Sequence, residues 1–412
     1  MIDILFIFIV CMTFFWQKDI FVNLQTVLIL CFFNLPNFYS NNIDSDYRRD
    51  VLNLGDISLY ENILFNVIIL LYITIIIISQ RIIKLNIPIK KNFYNQKIKY
   101  YYFYFFIVLY IVFSFYLSKI GAILEEGYAA YHLNDLSVKS TFFIVILDLF
   151  LKFLLIKGIA DNKKFANFFY FLYHILIILT GFRFPGFIGI IIWFLIKKHT
   201  YINNNKVKII GLSLISPYIL ILTQRFRTFS NSNDIQAFNI FETALKELIV
   251  QFNFSAETLR AVIRGPIDYD INLFYGFVQF ILAIYNKVIG STISIEQRAD
   301  LGAFPYAQTR SLRPDLFEMG ITFGNSVFSE TYAVMGLVGI VLIAIVHSCF
   351  FKLLFELRHK SNQIVLIWIT HYFIAIPLLK TVRSSSLDWM LNSLILSVFL
   401  YIFSKFHISK SI

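Results

Sequence analysis

The chain has 412 residues, of which 58% are hydrophobic and 15% are charged, with a formal net charge of +11. A soluble domain is ordinarily about 45–50% apolar and about a quarter charged, so this composition excludes a soluble globular protein. The positive charge is dispersed among the connections between apolar stretches, unlike the clustered basic face of a nucleic-acid-binding protein. The sequence predicts an all-α, polytopic integral membrane protein.

Apolar stretches long enough to span a bilayer recur along the chain. We predict about eleven transmembrane helices, near residues 2–16, 20–36, 60–79, 100–119, 140–157, 167–182, 186–197, 208–223, 330–354, 363–380 and 387–405. The first resembles a signal peptide in length, but it lacks a basic n-region and a small-residue cleavage site. We therefore interpret it as a retained helix.

Basic residues in the short connections predict the orientation of these helices. Six lie in segment 80–99, four lie in segment 197–208, and Arg358 and Lys360 follow the ninth predicted helix. The positive-inside rule assigns these segments to the cytoplasm. The C-terminus is then inside and the N-terminus outside.

One outer segment, residues 224–329, is exceptionally long. It separates about eight helices in residues 1–223 from about three in residues 330–412. Connections of this length are usually functional. Two apolar runs within it, 238–254 and 271–289, are interrupted by polar and charged residues, which is typical of interfacial or re-entrant helices. Either run could instead be a full span, which would raise the count to twelve or thirteen.

Arginine is distributed differently from lysine. Eleven of the thirteen arginines fall in segments assigned to the outside: Arg48, Arg49, Arg183, Arg225, Arg227, Arg260, Arg264, Arg298, Arg310, Arg313 and Arg383. A guanidinium makes planar two-point contacts with phosphate or carboxylate, whereas a lysine ammonium acts as a point charge. The pattern predicts an outward-facing pocket for a phosphorylated or acidic ligand. Lipid headgroups or carboxylates of the same segment could also hold these arginines, and both alternatives stay open.

The candidates for acid–base chemistry are Glu330, which lies where the ninth predicted helix begins, and the triplet Asp268-Tyr269-Asp270. A carboxylate at such a dehydrated helix entrance can act as a general base toward a sugar hydroxyl. A favourable interaction with the helix dipole explains its position equally well. Two acidic triplets, residues 44–46 and 268–270, could bind a divalent ion, but such triplets arise often by chance and we predict no metal site.

Two short elements carry a resemblance to a known family. Thr180-Gly181-Phe182-Arg183 opens one helix, and Glu330-Thr331-Tyr332, followed by Gly336 and Gly339, leads into another. With ten or more spans and a long outer segment late in the chain, these elements resemble the Wzy-type O-antigen polymerases of bacterial inner membranes. The resemblance covers nearly the whole chain in architecture and these short motifs in residues.

The resemblance implies the fold of outward-acting membrane glycosyltransferases, with the active site facing the periplasm. The implied substrates are undecaprenyl-diphosphate-linked oligosaccharide units. The implied reaction moves the growing glycan from its lipid diphosphate to a sugar hydroxyl of the next unit. The resemblance implies no cofactor or nucleotide sugar, and it allows for a chain-length regulator protein as a partner beside the membrane lipids.

Family members use periplasmic arginines on the acidic substrate, and Arg183 is the position that matches best by element. We expect catalytic roles for Glu330, Arg183 and Arg313. We expect diphosphate binding by Arg264, Arg310, Arg313, Arg383 and Arg225. Their positive charge would offset the negative charge that develops on the leaving diphosphate.

Two other functions fit the sequence less well. An O-antigen ligase would use the same lipid-linked donor but transfer the glycan to lipid A core. A flippase for lipid-linked oligosaccharides would be expected to show short loops, internal symmetry and charges lining its spans. The long outer segment and the nearly charge-free spans argue against a flippase.

Overall fold

The computed structural model is built from α-helices packed side by side. It describes residues 2–16, 19–42, 58–83, 100–126, 142–180, 183–197, 253, 255–265, 294–318, 326–360, 367, 371–375 and 378–379. No strand occurs within these ranges, so the all-α prediction is confirmed.

The helices of the described ranges follow the apolar stretches of the sequence. In chain order they are α1 (Ile2–Trp16), α2 (Ile20–Ile29), α3 (Leu35–Asn42), α4 (Leu59–Ile82), α5 (Tyr101–Glu126), α6 (Phe142–Ala160), α7 (Lys164–Leu179), α8 (Arg183–Lys197), α9 (255–264), α10 (Ile295–Asp300), α11 (Phe304–Leu312), α12 (Pro314–Glu318) and α13 (Val327–Lys360). A π-helical turn, Leu30–Asn34, joins α2 to α3, and a second covers His371–Ala375.

Four described segments are long and apolar enough to cross a membrane. They are Phe21–Phe38, Leu59–Ile82, Tyr101–Glu125 and Val327–Arg358. Shorter apolar helices cover Asp3–Thr13 and Lys164–Leu179. The spans predicted near 208–223 and 387–405 lie outside the described residues, so the count of about eleven stays a prediction.

The apolar side chains form two cores. The first lies between α2, α4, α9 and α13 and contains Phe33, Phe65 and Phe328. The second lies between α5, α6 and α7. Helix α8 connects them, because its Ile188 packs in the first core while the hydroxyl of Tyr170 in α7 donates to its backbone at 2.8 Å.

The two ends of the first core differ chemically. At one end, which we call the Asp3 end, Asn37 donates to Asp3 at 3.0 Å and to Asn62 at 2.9 Å, so the starts of α1, α3 and α4 meet. At the other end, Asp19 caps the start of α2 and lies near Arg358.

Helix α6 corrects the expectation of nearly charge-free spans. Asp148 and Lys152 lie in the middle of this apolar helix and form an ion pair at 2.7 Å. Tyr116 and Tyr173 of the two neighbouring helices donate to the same carboxylate at 3.2 and 2.7 Å. The charges are tolerated because they neutralise each other and are hydrogen-bonded.

Candidate functional site

Helix α13 is broken at Gly336. Its backbone there has φ 58° and ψ −143°, a conformation that glycine adopts readily because it has no Cβ. The break separates a short arm, residues 327–335, from a long arm, residues 337–360. At 1.5 Å per residue the long arm measures about 36 Å, which is enough to cross the hydrocarbon core by itself.

The two arms fold back on each other. The ring centroid of Tyr72 in α4 lies 4.7 Å from that of Phe328 in the short arm and 5.8 Å from that of His347 in the long arm. A straight helix would separate these two positions by about 28 Å. A Cβ built on Gly339 would lie 2.4 Å from the backbone oxygen of Thr331, so the arms touch through their backbones. Helix α13 is therefore a helical hairpin.

This hairpin explains the spacing of the motif that begins at Glu330. Gly336 permits the reversal, Gly339 permits the close contact of the arms, and Glu330 lies in the first turn of the short arm with 3% of its surface exposed. Ser326 and Ser329 start the arm with reciprocal hydrogen bonds of 3.0 and 3.2 Å. We expected Glu330 at the entrance of a straight helix, but the structure buries it within a hairpin.

A buried ion pair lies at the Asp3 end. Arg260 of α9 donates to Glu257, one turn earlier, and to the side-chain oxygen of Asn37, and its guanidinium lies 5.1 Å from the ring centroid of Phe65. The Arg260 and Glu257 side chains are 4% and 2% exposed. Burial lowers the pKa of the Arg260 guanidinium, and the Glu257 carboxylate opposes that shift. Since Asn37 also donates to Asp3, the network joins α1, α3 and α9.

Arg264 extends from this network toward water. Its Nε and Nη2 atoms donate to the two carboxylate oxygens of Glu61 at 2.9 and 3.0 Å. Glu61 also accepts from the backbone of Ser58, which completes the cap of α4. The Arg264 side chain is 30% exposed. One partner of Arg264 therefore comes from α4.

Helices α11 and α12 carry two more of the expected arginines, and α11 rests on α9. Gln308 of α11 donates to the backbone oxygen of Thr258 at 3.1 Å, and both side chains are fully buried. Arg310 follows Gln308 within the same turn of α11, and Arg313 is the residue directly after the last residue of α11. Helix α9 thus brings Arg264, Arg310 and Arg313 to the same end of the molecule.

Both surface arginines have carboxylate partners. Arg310 donates to Asp300 at 2.7 Å, and Arg313 donates to the two oxygens of Asp315 at 2.8 and 2.6 Å. The hydrogen bond from Arg313 lowers the pKa of Asp315 and raises that of Arg313. Acidic neighbours in the same segment, one of the alternatives of the sequence analysis, do hold these two side chains.

The short arm of α13 faces the same core as Arg260. The ring of Phe33 lies 6.2 Å from that of Phe65, on which Arg260 stacks, and 4.9 Å from that of Phe328. The rings of Phe65 and Phe33 therefore connect the buried guanidinium to the arm that contains Glu330. The candidate site consists of this arm and the arginines of α9, α11 and α12.

The remaining expected site residues are placed less fully. Arg183 is the first residue of α8. Arg225, Arg383 and both acidic triplets lie outside the described residues. Within the described ranges no group of three or more His, Cys, Asp or Glu residues could hold a metal ion.

Several residues of the site were not singled out from the sequence. Glu61, Asn37 and Asp3 supply the oxygens around the arginines, and Glu257 supplies the buried charge. The available signal was a polar residue in an apolar stretch, as with Asp3 in the first helix and Asn37 after Pro36. Such a signal marks burial but does not identify the partner.

Comparison with known proteins gives one match. A family model described as O-antigen polysaccharide polymerase Wzy matches residues 1–411. No curated protein and no solved structure matches the chain.

Proposed function

The chain belongs to the O-antigen polysaccharide polymerase Wzy family, and from this premise we propose that it polymerises undecaprenyl-diphosphate-linked repeat units at the periplasmic face of the bacterial inner membrane. The family and the apolar helices make it a multi-pass membrane protein with a glycosyltransferase-type activity. The lipid carrier and the membrane face are parts of the proposal.

Arg264, Arg310 and Arg313 bind the diphosphate of the donor at the Asp3 end. In the bound state its oxygens replace the carboxylates of Glu61, Asp300 and Asp315. Arg183, Arg225 and Arg383 contribute further positive charge from other segments. A guanidinium binds phosphate and carboxylate oxygens with the same fork of donors, so this exchange requires little rearrangement.

The reaction forms one glycosidic bond and breaks one bond to phosphate. A hydroxyl oxygen of the acceptor unit attacks the anomeric carbon that carries the lipid diphosphate. The bond from that carbon to the diphosphate oxygen breaks, the diphosphate leaves with the electron pair, and the hydroxyl proton passes to Glu330. Positive charge on the diphosphate side lowers the barrier to its departure.

The observation that carries the proposal is the two-point contact of Arg264 with Glu61. It is a guanidinium already oriented toward two oxygens, one turn from a buried network and itself 30% exposed. A side chain in this position can reach a membrane-bound anion while its helix stays anchored.

A lipopolysaccharide gel tests the function. Deletion of the gene should reduce the ladder to core plus a single repeat unit, because units are still made and ligated but not polymerised. Complementation with the native gene should restore the ladder, and Arg313→Ala at equal protein abundance should not. Loss of all O-antigen on deletion would contradict a polymerase and favour the ligase or the flippase. A full ladder after deletion would contradict all three.

A further inference from the structure

Helix α9 depends on a buried charge for its position. Ala256 and Leu259 pack in the first core with none of their surface exposed, but such apolar contacts tolerate small rotations of a helix. The Arg260 guanidinium is different, because removing it from water is costly unless its partners are in place. Glu257, Asn37 and the ring of Phe65 meet this requirement in a single orientation of α9.

The same helix holds the site together from two sides. Residues 257, 260 and 264 lie on one face of α9, since they are three and four positions apart. Thr258 lies on the other side, where its backbone accepts the hydrogen bond from Gln308. A rotation of α9 would therefore move Arg264 away from α4 and at the same time shift the helices that carry Arg310 and Arg313.

We infer that Arg260 is a positioning residue for the glycosyl transfer, which fixes α9 so that Arg264, Arg310 and Arg313 meet the same diphosphate. It acts through these three arginines and does not itself touch the substrate. That the bound anion is a diphosphate rests on the proposed function, but the role of Arg260 in fixing the orientation of α9 does not.

A crosslink between α4 and α9 tests the geometric part without any substrate. Cys11, Cys31 and Cys349 are first replaced by serine, and cysteines are placed at positions 61 and 264. A short bis-thiosulfonate reagent should join them in purified protein, as measured by mass spectrometry of the linked peptides. Arg260→Met in this background should lower the yield several-fold. Arg298→Met, which removes a half-buried arginine bonded to Tyr306, should leave it unchanged.

Charge-paired variants separate positioning from folding. Arg260→Met leaves the buried Glu257 carboxylate without its guanidinium, so we expect little protein in the membrane. The double variant Arg260→Met with Glu257→Met removes both charges and should restore abundance. Its crosslink yield should stay low, and its KM for the lipid-linked donor should stay raised while kcat changes little. Arg260→Lys keeps the charge and should rescue in part.

Each outcome decides the inference. A double variant with native crosslink yield and native KM would overturn it, because Arg260 would then matter only for folding. A fall in kcat with unchanged KM and crosslink would overturn it in favour of a catalytic residue. Arg260-dependent crosslinking in the cysteine-substituted chain, together with a native chain that joins no lipid-linked units, would overturn the polymerase and leave the role of Arg260 in positioning α9 intact.

Discussion

Three arginines of the candidate site already hold an oxyanion, because each contacts a carboxylate. Arg264 and Arg313 do so through two donor atoms each. A diphosphate must therefore compete with Glu61 and Asp315 for the same donors. The affinity for the diphosphate depends on how much more strongly the arginines bind it than they bind these carboxylates. Mutation of a carboxylate partner can therefore be as informative as mutation of the arginine.

Loss of Arg264 should weaken donor binding. Hydrogen bonds to charged groups contribute about 1.5–3 kcal/mol, which corresponds to a rise in KM of about ten- to a hundredfold for Arg264→Ala. Arg264→Lys keeps the charge but not the fork and should fall in between. The measurement is the initial rate of polymerisation against donor concentration in reconstituted membranes. Arg81→Ala, at the exposed far end of α4, is the matched control and should leave KM unchanged.

Removal of a competing carboxylate should act in the opposite direction. Asp315→Asn releases Arg313 from its charged partner, whose side chain is 52% exposed. If Arg313 binds the diphosphate, KM for the donor should fall a few-fold in the same rate assay. An unchanged KM would mean that the two residues form an ordinary surface ion pair, which contributes little to stability and nothing to donor binding.

At the scale of single elements, α13 differs most from what hydropathy predicts. Hydropathy over Val327–Arg358 predicts one long apolar helix, because it depends only on residue types and contains no information about the direction of the backbone. The reversal depends on one backbone conformation, at Gly336, and one close approach, at Gly339. Glycines are common in membrane helices, so two of them three positions apart did not by themselves predict a hairpin.

Substitution of the hairpin glycines should destabilise the protein. Gly336→Ala forces a Cβ into a conformation that costs about 1–3 kcal/mol. Gly339→Ala brings a Cβ to 2.4 Å from the Thr331 backbone oxygen, which cannot move aside as a side chain would. Both should lower Tm in detergent and reduce polymer. Gly121→Ala is the control, because nothing lies within 4 Å of its Cβ, and it should keep or raise Tm through the better helix propensity of alanine. Equal effects at all three positions would contradict the hairpin.

For the whole molecule, the sequence predicted what depends on composition and missed what depends on pairing over long distances. Long apolar stretches placed α4 within a few residues of both its bounds and α5 within one residue of its start, but α5 extends to Glu126, beyond its predicted end at 119. The arginines were recognised as a group, and carboxylates of their own segment as possible partners, but Glu61 was not, because it is 203 positions from Arg264. Asp148 and Lys152 pair within one helix at positions i and i+4, whereas the hydrogen bonds of two tyrosines to Asp148 depend on the packing of three helices.

The orientation of the bundle leads to a labelling experiment. Single cysteines at position 318, exposed on α12, and at position 81, exposed near the end of α4, are made in a chain without native cysteines. A membrane-impermeant maleimide applied to intact spheroplasts should label position 318 at once and position 81 only after lysis. The reverse pattern would place the Asp3 end, with its arginines, in the cytoplasm and contradict a periplasmic site.

The contact between Glu61 and Arg264 also has an evolutionary consequence. The Glu61 carboxylate both caps the start of α4 and accepts from Arg264, 203 positions later. A substitution at either position would therefore leave the other residue with a poor partner. In an alignment of relatives, positions 61 and 264 should covary. Relatives that replace the arginine should also replace the glutamate, often with glutamine, whose side-chain oxygen can still accept from the Ser58 backbone. An alignment in which the two columns vary independently would mean that the pair is particular to this chain.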